Sequence, residues 1–324
     1  MYGAIVGDYV GSRFEFSPTK SKDFELVHEG CIWTDDSVLT IAVADALASD
    51  LDMVSTLRRY TVDYVTSYGP HFWGWANGWY GDGPYGSWAN GAAMRVSPAA
   101  WFAVSVEDCL RKAALSTEVS HNHPEGVRGA QAVACAVYAA ITGWSQYEIR
   151  ELIQSKFGYD LSSSVDDLRS VSSFELKSWI SVPRAIVCAL EATSFEDAIR
   201  NAVSLGGDAD TEAAIAGSIA EPIFGVPSHL KAAAVGSLPV DLQDRLSAVI
   251  DLAALIQRTP MSSSDVANIP VWDPSVVERW NAILDAQRPV VIYEPDPIEK
   301  SESEERSSFV QLGLRILRGW FEKK

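Results

Sequence analysis

Basic residues are scarce in this chain of 324 residues: 26 Lys and Arg stand against 43 Asp and Glu, a formal net charge of −17. Such a surface repels nucleic-acid phosphates and anionic headgroups, so neither direct nucleic-acid binding nor a membrane partner is expected. A small anionic substrate would have to find its positive charge locally, at a helix N-terminus or on a bound cation. Only four cysteines occur, Cys31, Cys109, Cys135 and Cys188, and they form no CxxC or Cys/His pattern. A disulfide framework and a zinc site are therefore not expected; the four read as reduced, mostly buried thiols of a cytoplasmic protein. No uncharged apolar run reaches the roughly 18 residues that a bilayer span needs. The opening MYGAIVGDYVG has no basic residue ahead of its apolar stretch and is interrupted by Asp8, so it does not read as a signal peptide.

Strand-like alternation is also scarce, whereas helical spacing is common. Residues 37–50 (SVLTIAVADALASD) and 129–142 (GAQAVACAVYAAIT) repeat apolar side chains every three or four positions. Further helices are expected within 183–191, 195–204, 211–220 and 241–256. Alanine and glycine on helix faces let axes approach closely, and 47% hydrophobic residues suffice for a sizeable core. The expected fold is all-α, a compact helical domain over residues 1–257. Residues 12–33 and the Gly-, Trp-, Tyr- and Asn-rich stretch 68–98 read as long functional loops. From 258 the composition turns Pro- and Ser-rich and then strongly charged. Residues 258–324 are expected to be a linker and C-terminal extension ending in a short amphipathic helix at 309–321 (FVQLGLRILRGWF).

Two acidic clusters, each just ahead of a helix, carry the chemistry. They are Thr34-Asp35-Asp36-Ser37 and Gly206-Gly207-Asp208-Ala209-Asp210-Thr211. Either one alone suits helix capping, because Asp, Thr and Ser are favoured N-caps and acidic first turns complement the helix dipole. Together they hold more hard oxygens than two caps need. Carboxylates gathered in one place repel unless cations lie between them, and an all-oxygen donor set suits Mg²⁺, Mn²⁺ or Ca²⁺ over zinc. Three more segments stand out. Residues 7–16 (GDYVGSRFEF) pair acidic residues with a helix end. Residues 85–95 (YGSWANGAAMR) could offer backbone N–H groups, and the N-terminus of the following helix, to a diphosphate. Residues 120–126 (SHNHPEG) place His121 and His123 two apart with no third ligand nearby.

Six segments, in order, resemble the ADP-ribosylglycohydrolase family: GDYVGSRFEF (7–16), WTDDSVLT (33–40), NGAAMRVSP (90–98), SHNHPEGVRGAQA (120–132), SVPRAI (181–186) and SLGGDADTEAAIAGSIAE (204–221). The resemblance implies an orthogonal all-α domain with two Mg²⁺, or Mn²⁺ in their place, in a cleft. It implies Thr34, Asp35, Asp36, Asp208, Asp210 and Thr211 as metal ligands, and Glu15 with Asp35 and Asp36 as catalytic residues. Gly86, Ser87, Trp88, Ala89, Asn90 and Gly91 fall on the diphosphate loop, where Ala89 replaces the usual glycine, and His121 on a substrate contact. The expected activity is hydrolysis of the glycosidic or ester bond between ADP-ribose and a protein side chain or small molecule, the alternative being a non-catalytic ADP-ribose-binding protein. Trp73, Trp75, Trp79, Tyr80 and Trp88 are expected at the cleft mouth, in the core or on a partner surface.

Overall fold

A computed structural model describes residues 1–287, and its regular structure is helical. Along the chain run α1 (Tyr2–Gly11), α2 (Asp35–Ser49), α3 (Met53–Asp63), α4 (Pro70–Ala76), α5 (Gly91–Met94), α6 (Ser97–Trp101), α7 (Val106–Glu118), α8 (Pro124–Ile141) and α9 (Gln146–Phe157). They continue with α10 (Val165–Val171), α11 (Ser178–Leu190), α12 (Phe195–Val203), α13 (Ala209–Phe224), α14 (Ser228–Ser237), α15 (Val240–Ala254), α16 (Ser263–Asn268) and α17 (Ser275–Gln287). No strand occurs among the described residues; Ala89 and Lys177 form an isolated antiparallel bridge. The all-α expectation is met.

The six helices expected from apolar spacing are present, with ends shifted by a few residues. Others begin at caps that the apolar period did not flag. Ser105 accepts from Asp108 N at the start of α7, Ser145 and Glu148 form a reciprocal capping box at α9, and Ser164 with Asp167 repeats it at α10. The stretch 68–98, expected as a loop, contains α4, started by Pro70 in its first turn, and the single turn α5.

At the centre α1 packs along α13. Gly3, Gly7 and Gly11 are spaced four apart and so share one face of α1; a Cβ on any of them would overlap the backbone of Gly217, Ala213 or Ala209 of α13. Two rows of small residues thus let the helix axes approach as bulkier side chains would not. Around this pair lie α2, α8, α11 and α12, whose Ile41, Val43, Val137, Tyr138, Ile186 and Ile199 are fully buried. The α2 helix is fastened further by Asp45, 1% exposed, which accepts from Tyr60 Oη at 2.8 Å and pairs with Arg59 and Arg245.

From residue 258 to 281 the chain keeps to this body. Tyr138 Oη donates to the Thr259 carbonyl at 2.8 Å, Trp144 Nε1 to the Met261 carbonyl at 3.1 Å and Trp272 N to the Lys156 carbonyl at 2.8 Å. The Arg128 guanidinium lies over the rings of both Tyr159 and Trp272. Residues Met1–Asn281 form one compact unit. The amphipathic segment 309–321 lies outside the described residues.

Candidate active site

The first turns of α2 and α13 meet against α1, and capping does not explain their acids. Thr34 is the N-cap residue of α2 and Asp208 that of α13, yet neither side chain makes a capping hydrogen bond. For α2 that work is done from another helix. Asp8 Oδ2 accepts from Thr34 N at 2.9 Å and Ser37 N at 3.0 Å, and Asp8 Oδ1 accepts from Thr34 Oγ1 at 2.6 Å. The Ser37 hydroxyl donates to Asp8 as well. Asp8 was missed as a site residue on sequence. Its signal was a lone carboxylate inside an apolar helix, which needs donors from elsewhere to be buried.

With the cap satisfied by Asp8, the other acids turn towards one another. Asp8, Asp36 and Asp210 each bring a carboxylate oxygen within 4.8 Å of the other two, and Glu15, Asp208 and Asp210 do the same. Asp210 belongs to both groups. Thr34 Oγ1 lies 3.2 Å from Asp36 Oδ2 and 3.5 Å from Asp210 Oδ2, and Asp36 Oδ1 is buried with no partner. Orphaned buried carboxylate oxygens without nitrogen or sulfur donors are a good fit to hard divalent cations. Two expected ligands stand beside these groups. Asp35 is only partly buried, and the Thr211 hydroxyl points to Met94 Sδ at 3.6 Å.

Crowding shows in the proton affinities. Burial and then the charge of Asp210 push Asp8 up to about 7, and burial and then Asp208 push Asp210 up to about 8. Asp208 is raised to about 6 by burial, against the donor Asn90; Glu15 is raised to about 10 by burial, Asp210 and Asp208. Asp35 and Asp36 are pushed well above the carboxylate range by burial and then Asp210. Without cations the folded protein therefore holds protons that the unfolded chain releases near pH 4, so its stability falls as pH rises. The loss starts above about pH 4 and runs through the titration of Asp210, near 8, to that of Glu15, near 10. Cation-stripped protein should melt several degrees higher at about pH 5.5 than at about pH 8.5, and Mg²⁺ should raise the melting temperature most at the higher pH. A melting temperature that climbs with pH in chelator would mean that the acids do not crowd.

The loop at residues 86–91 is tied directly to the acids. Asn90 Nδ2 donates to Asp208 Oδ2 at 2.7 Å. Gly86 takes a φ of +74°, which favours glycine, and its N–H donates to Asn122 Oδ1 at 2.9 Å. Ser87 Oγ accepts from Ala89 N, Asn90 N donates to the Leu176 carbonyl, and Ser178 N donates to the Trp88 carbonyl. Trp88 is exposed, with its ring edge-on to Trp179. The His121 Nε2 atom lies 3.1 Å from where a Cβ on Gly91 would sit. The helix following this loop, α5, is only one turn long, so the dipole expected there is weak. The two histidines part company: His121 is buried beside the loop, whereas His123 caps α8 by accepting from Glu125 N at 3.1 Å. The tryptophans divide likewise. Trp75 is wholly buried, Trp73 half-buried, and Trp79 and Tyr80 exposed.

Comparison with known proteins places this arrangement. The model of the ADP-ribosylglycohydrolase family matches residues 1–261. The chain is 25% identical over 296 residues to ADP-ribosylarginine hydrolase Tri1 of Pseudomonas putida, covering 79% of this chain and 80% of that one. It is 27% identical over 312 residues to ADP-ribosylhydrolase ARH3 of Homo sapiens, covering 69% and 84%. Among solved structures, an ADP-ribosylglycohydrolase-related protein complex shares the fold, with a TM-score of 0.61 at 19% identity over 79% of this chain and 95% of that one.

Proposed function

The chain belongs to the ADP-ribosylglycohydrolase family and is an ADP-ribosyl hydrolase; from this premise we propose that it splits ADP-ribose from a protein side chain or small-molecule acceptor with two Mg²⁺, or Mn²⁺ in their place. The observation that carries the proposal is the pair of carboxylate groups that share Asp210, in which Asp8 alone caps α2 and Asp36 keeps a buried oxygen without a partner. Asp8, Thr34, Asp36 and Asp210 would hold one cation, and Asp208 and Asp210, with Thr211 alongside, the other, next to Glu15. Bound there, the cations would supply positive charge for ribose oxygens and lower the pKa of a water.

The protein's own groups have separable tasks. Asp35 lies outside both converging groups; with cations offsetting the charge of Asp210 beside it, it would give up the proton that burial and Asp210 favour and could accept one from water as the anomeric bond breaks. Asp36 holds its place through Thr34. Within residues 86–91 the N–H groups of Gly86, Ala89 and Asn90 already have acceptors, so those of Ser87, Trp88 and Gly91 would take the diphosphate, with Asn90 fixing the distance from the loop to the acids through Asp208. Glu15 sits beside Asp208 and Asp210 and positions the water or the leaving group. Glu15→Gln should therefore lower turnover more than 10-fold with ADP-ribose affinity changed less than about threefold; equal losses in both would remove Glu15 from the chemistry.

The test is release of free ADP-ribose from arginine-, serine- and ester-linked conjugates, with Mg²⁺ and with chelator. Turnover on at least one conjugate in Mg²⁺, abolished by chelator, is expected. Tight ADP-ribose binding with no release from any conjugate would favour a binding protein instead. Among the described residues no helix is long and apolar enough to cross a membrane. The four cysteines are buried and unpaired, which supports action in the cytoplasm.

A further inference from the structure

We propose that Arg95 and Ser120 are positioning residues that hold His121 as its Nε2–H tautomer, a donor beside the loop at residues 86–91. The deduction uses only which atoms can donate. Arg95 is fully buried, and its guanidinium can donate but never accept. Its Nη2 donates to Ser120 Oγ at 2.8 Å and reaches the Ser116 carbonyl at 3.4 Å. Its plane lies over the Phe72 ring, and Nε and Nη1 find no partner. Ser120 Oγ therefore accepts from Arg95 and keeps its own proton to give away. Ser120 is 0% exposed, and its other side-chain neighbour within hydrogen-bonding distance, among the described residues, is His121 Nδ1 at 2.9 Å.

Two arrangements are left. Either Ser120 donates to a bare Nδ1, or a protonated Nδ1 donates to Ser120 and the serine proton goes without an acceptor. A buried hydroxyl proton left unpaired costs about 1–3 kcal/mol, and that decides for the first. The imidazolium form is opposed as well, because burial and then the charge of Arg95 hold His121 well below the usual histidine range. With Nδ1 accepting in a neutral ring, the proton is on Nε2. Phe72 and Tyr85 flank the ring, the latter edge-on at 5.7 Å, and keep its plane. Nε2 faces Gly91, at the end of the loop that Asn90 ties to Asp208. A neutral N–H there suits an anionic oxygen: it gives a hydrogen bond and, unlike a lone pair, does not repel. That this oxygen belongs to a diphosphate rests on the function proposed above; the tautomer does not.

Nitrogen NMR of ¹⁵N-histidine-labelled full-length protein near pH 7 tests the point, with only five histidines to assign and His121→Asn identifying the signal. The expected spectrum has His121 Nε2 bonded to hydrogen and Nδ1 bare. A wild-type signal with hydrogen on Nδ1, or on both nitrogens, overturns the proposal and needs no variant to fold. Ser120→Ala should let the ring populate both neutral tautomers and weaken ADP-ribose binding roughly tenfold. Ser120→Thr, which keeps the hydroxyl, should restore both. An unchanged tautomer in Ser120→Ala also overturns it. If wild-type protein shows the Nε2–H form yet binds no ADP-ribose, the functional reading fails and the positioning role of Arg95 and Ser120 stands.

Discussion

Asp210→Asn should lose turnover by about a thousandfold or more and yet, once both proteins are stripped of divalent cation, melt above the parent by about 2–5 °C at pH 8. The two effects share one cause. Asp210 contributes to both carboxylate groups, so its loss disables both. The same residue is the neighbour that raises the pKa of Asp8, Asp35, Asp36 and Glu15, so removing its charge relieves like-charge repulsion in a buried space. Asn is preferred to Ala because its carbonyl can still accept from Thr211 N, as Asp210 Oδ1 does at 3.0 Å. An ordinary core residue would give the opposite sign for stability. ADP-ribose release, Mg²⁺ titration calorimetry and melting in chelator measure the three quantities. Surviving activity in chelator-treated variant, or a lower cation-free melting temperature, would remove the metal reading.

Gly7→Ala should cost about 3 kcal/mol or more, a fall in melting temperature of roughly 6–12 °C for a domain of this size. The new Cβ would overlap the carbonyl of Ala213 and the amide of Ala214, both backbone, so no side chain can swing aside. Relief requires α1 to move off α13. That movement carries Asp8 away from Thr34 and Ser37 and separates it from Asp210, so activity should fall further than stability alone would explain. The control is Gly236→Ala in α14, where a Cβ meets nothing within 4 Å and helix propensity gains about 0.5–1 kcal/mol. Equal effects at the two positions would mean that the α1–α13 contact is not close. Thermal melts of the two variants, with ADP-ribose release normalised to folded protein, make the comparison.

Much of this could be read before folding. The helices with strong apolar period were visible because burial of one face is a local pattern. Those opened by Ser105, Ser145 and Ser164 were passed over, although their serine caps were in plain sight. The donor chemistry was legible too: hard oxygens in two clusters, and no cysteine or histidine set to compete. The two histidines of residues 120–126 were not separable, since a spacing of two says nothing about whether a ring caps a helix, as His123 does, or lies against Ser120, as His121 does.

The amino-acid order alone determined a helical protein with acidic first turns and a row of glycines four apart on its first helix, because period, caps and residue size act over a few neighbours. Only the packed chain decided that Asp8 would take the capping donors of α2 and that Asp36, 174 positions before Asp210, would come within 4.8 Å of it. Convergence of that kind depends on the approach of α1 to α13. The approach is set by missing side chains on both partners at once, and neither segment records the other's register.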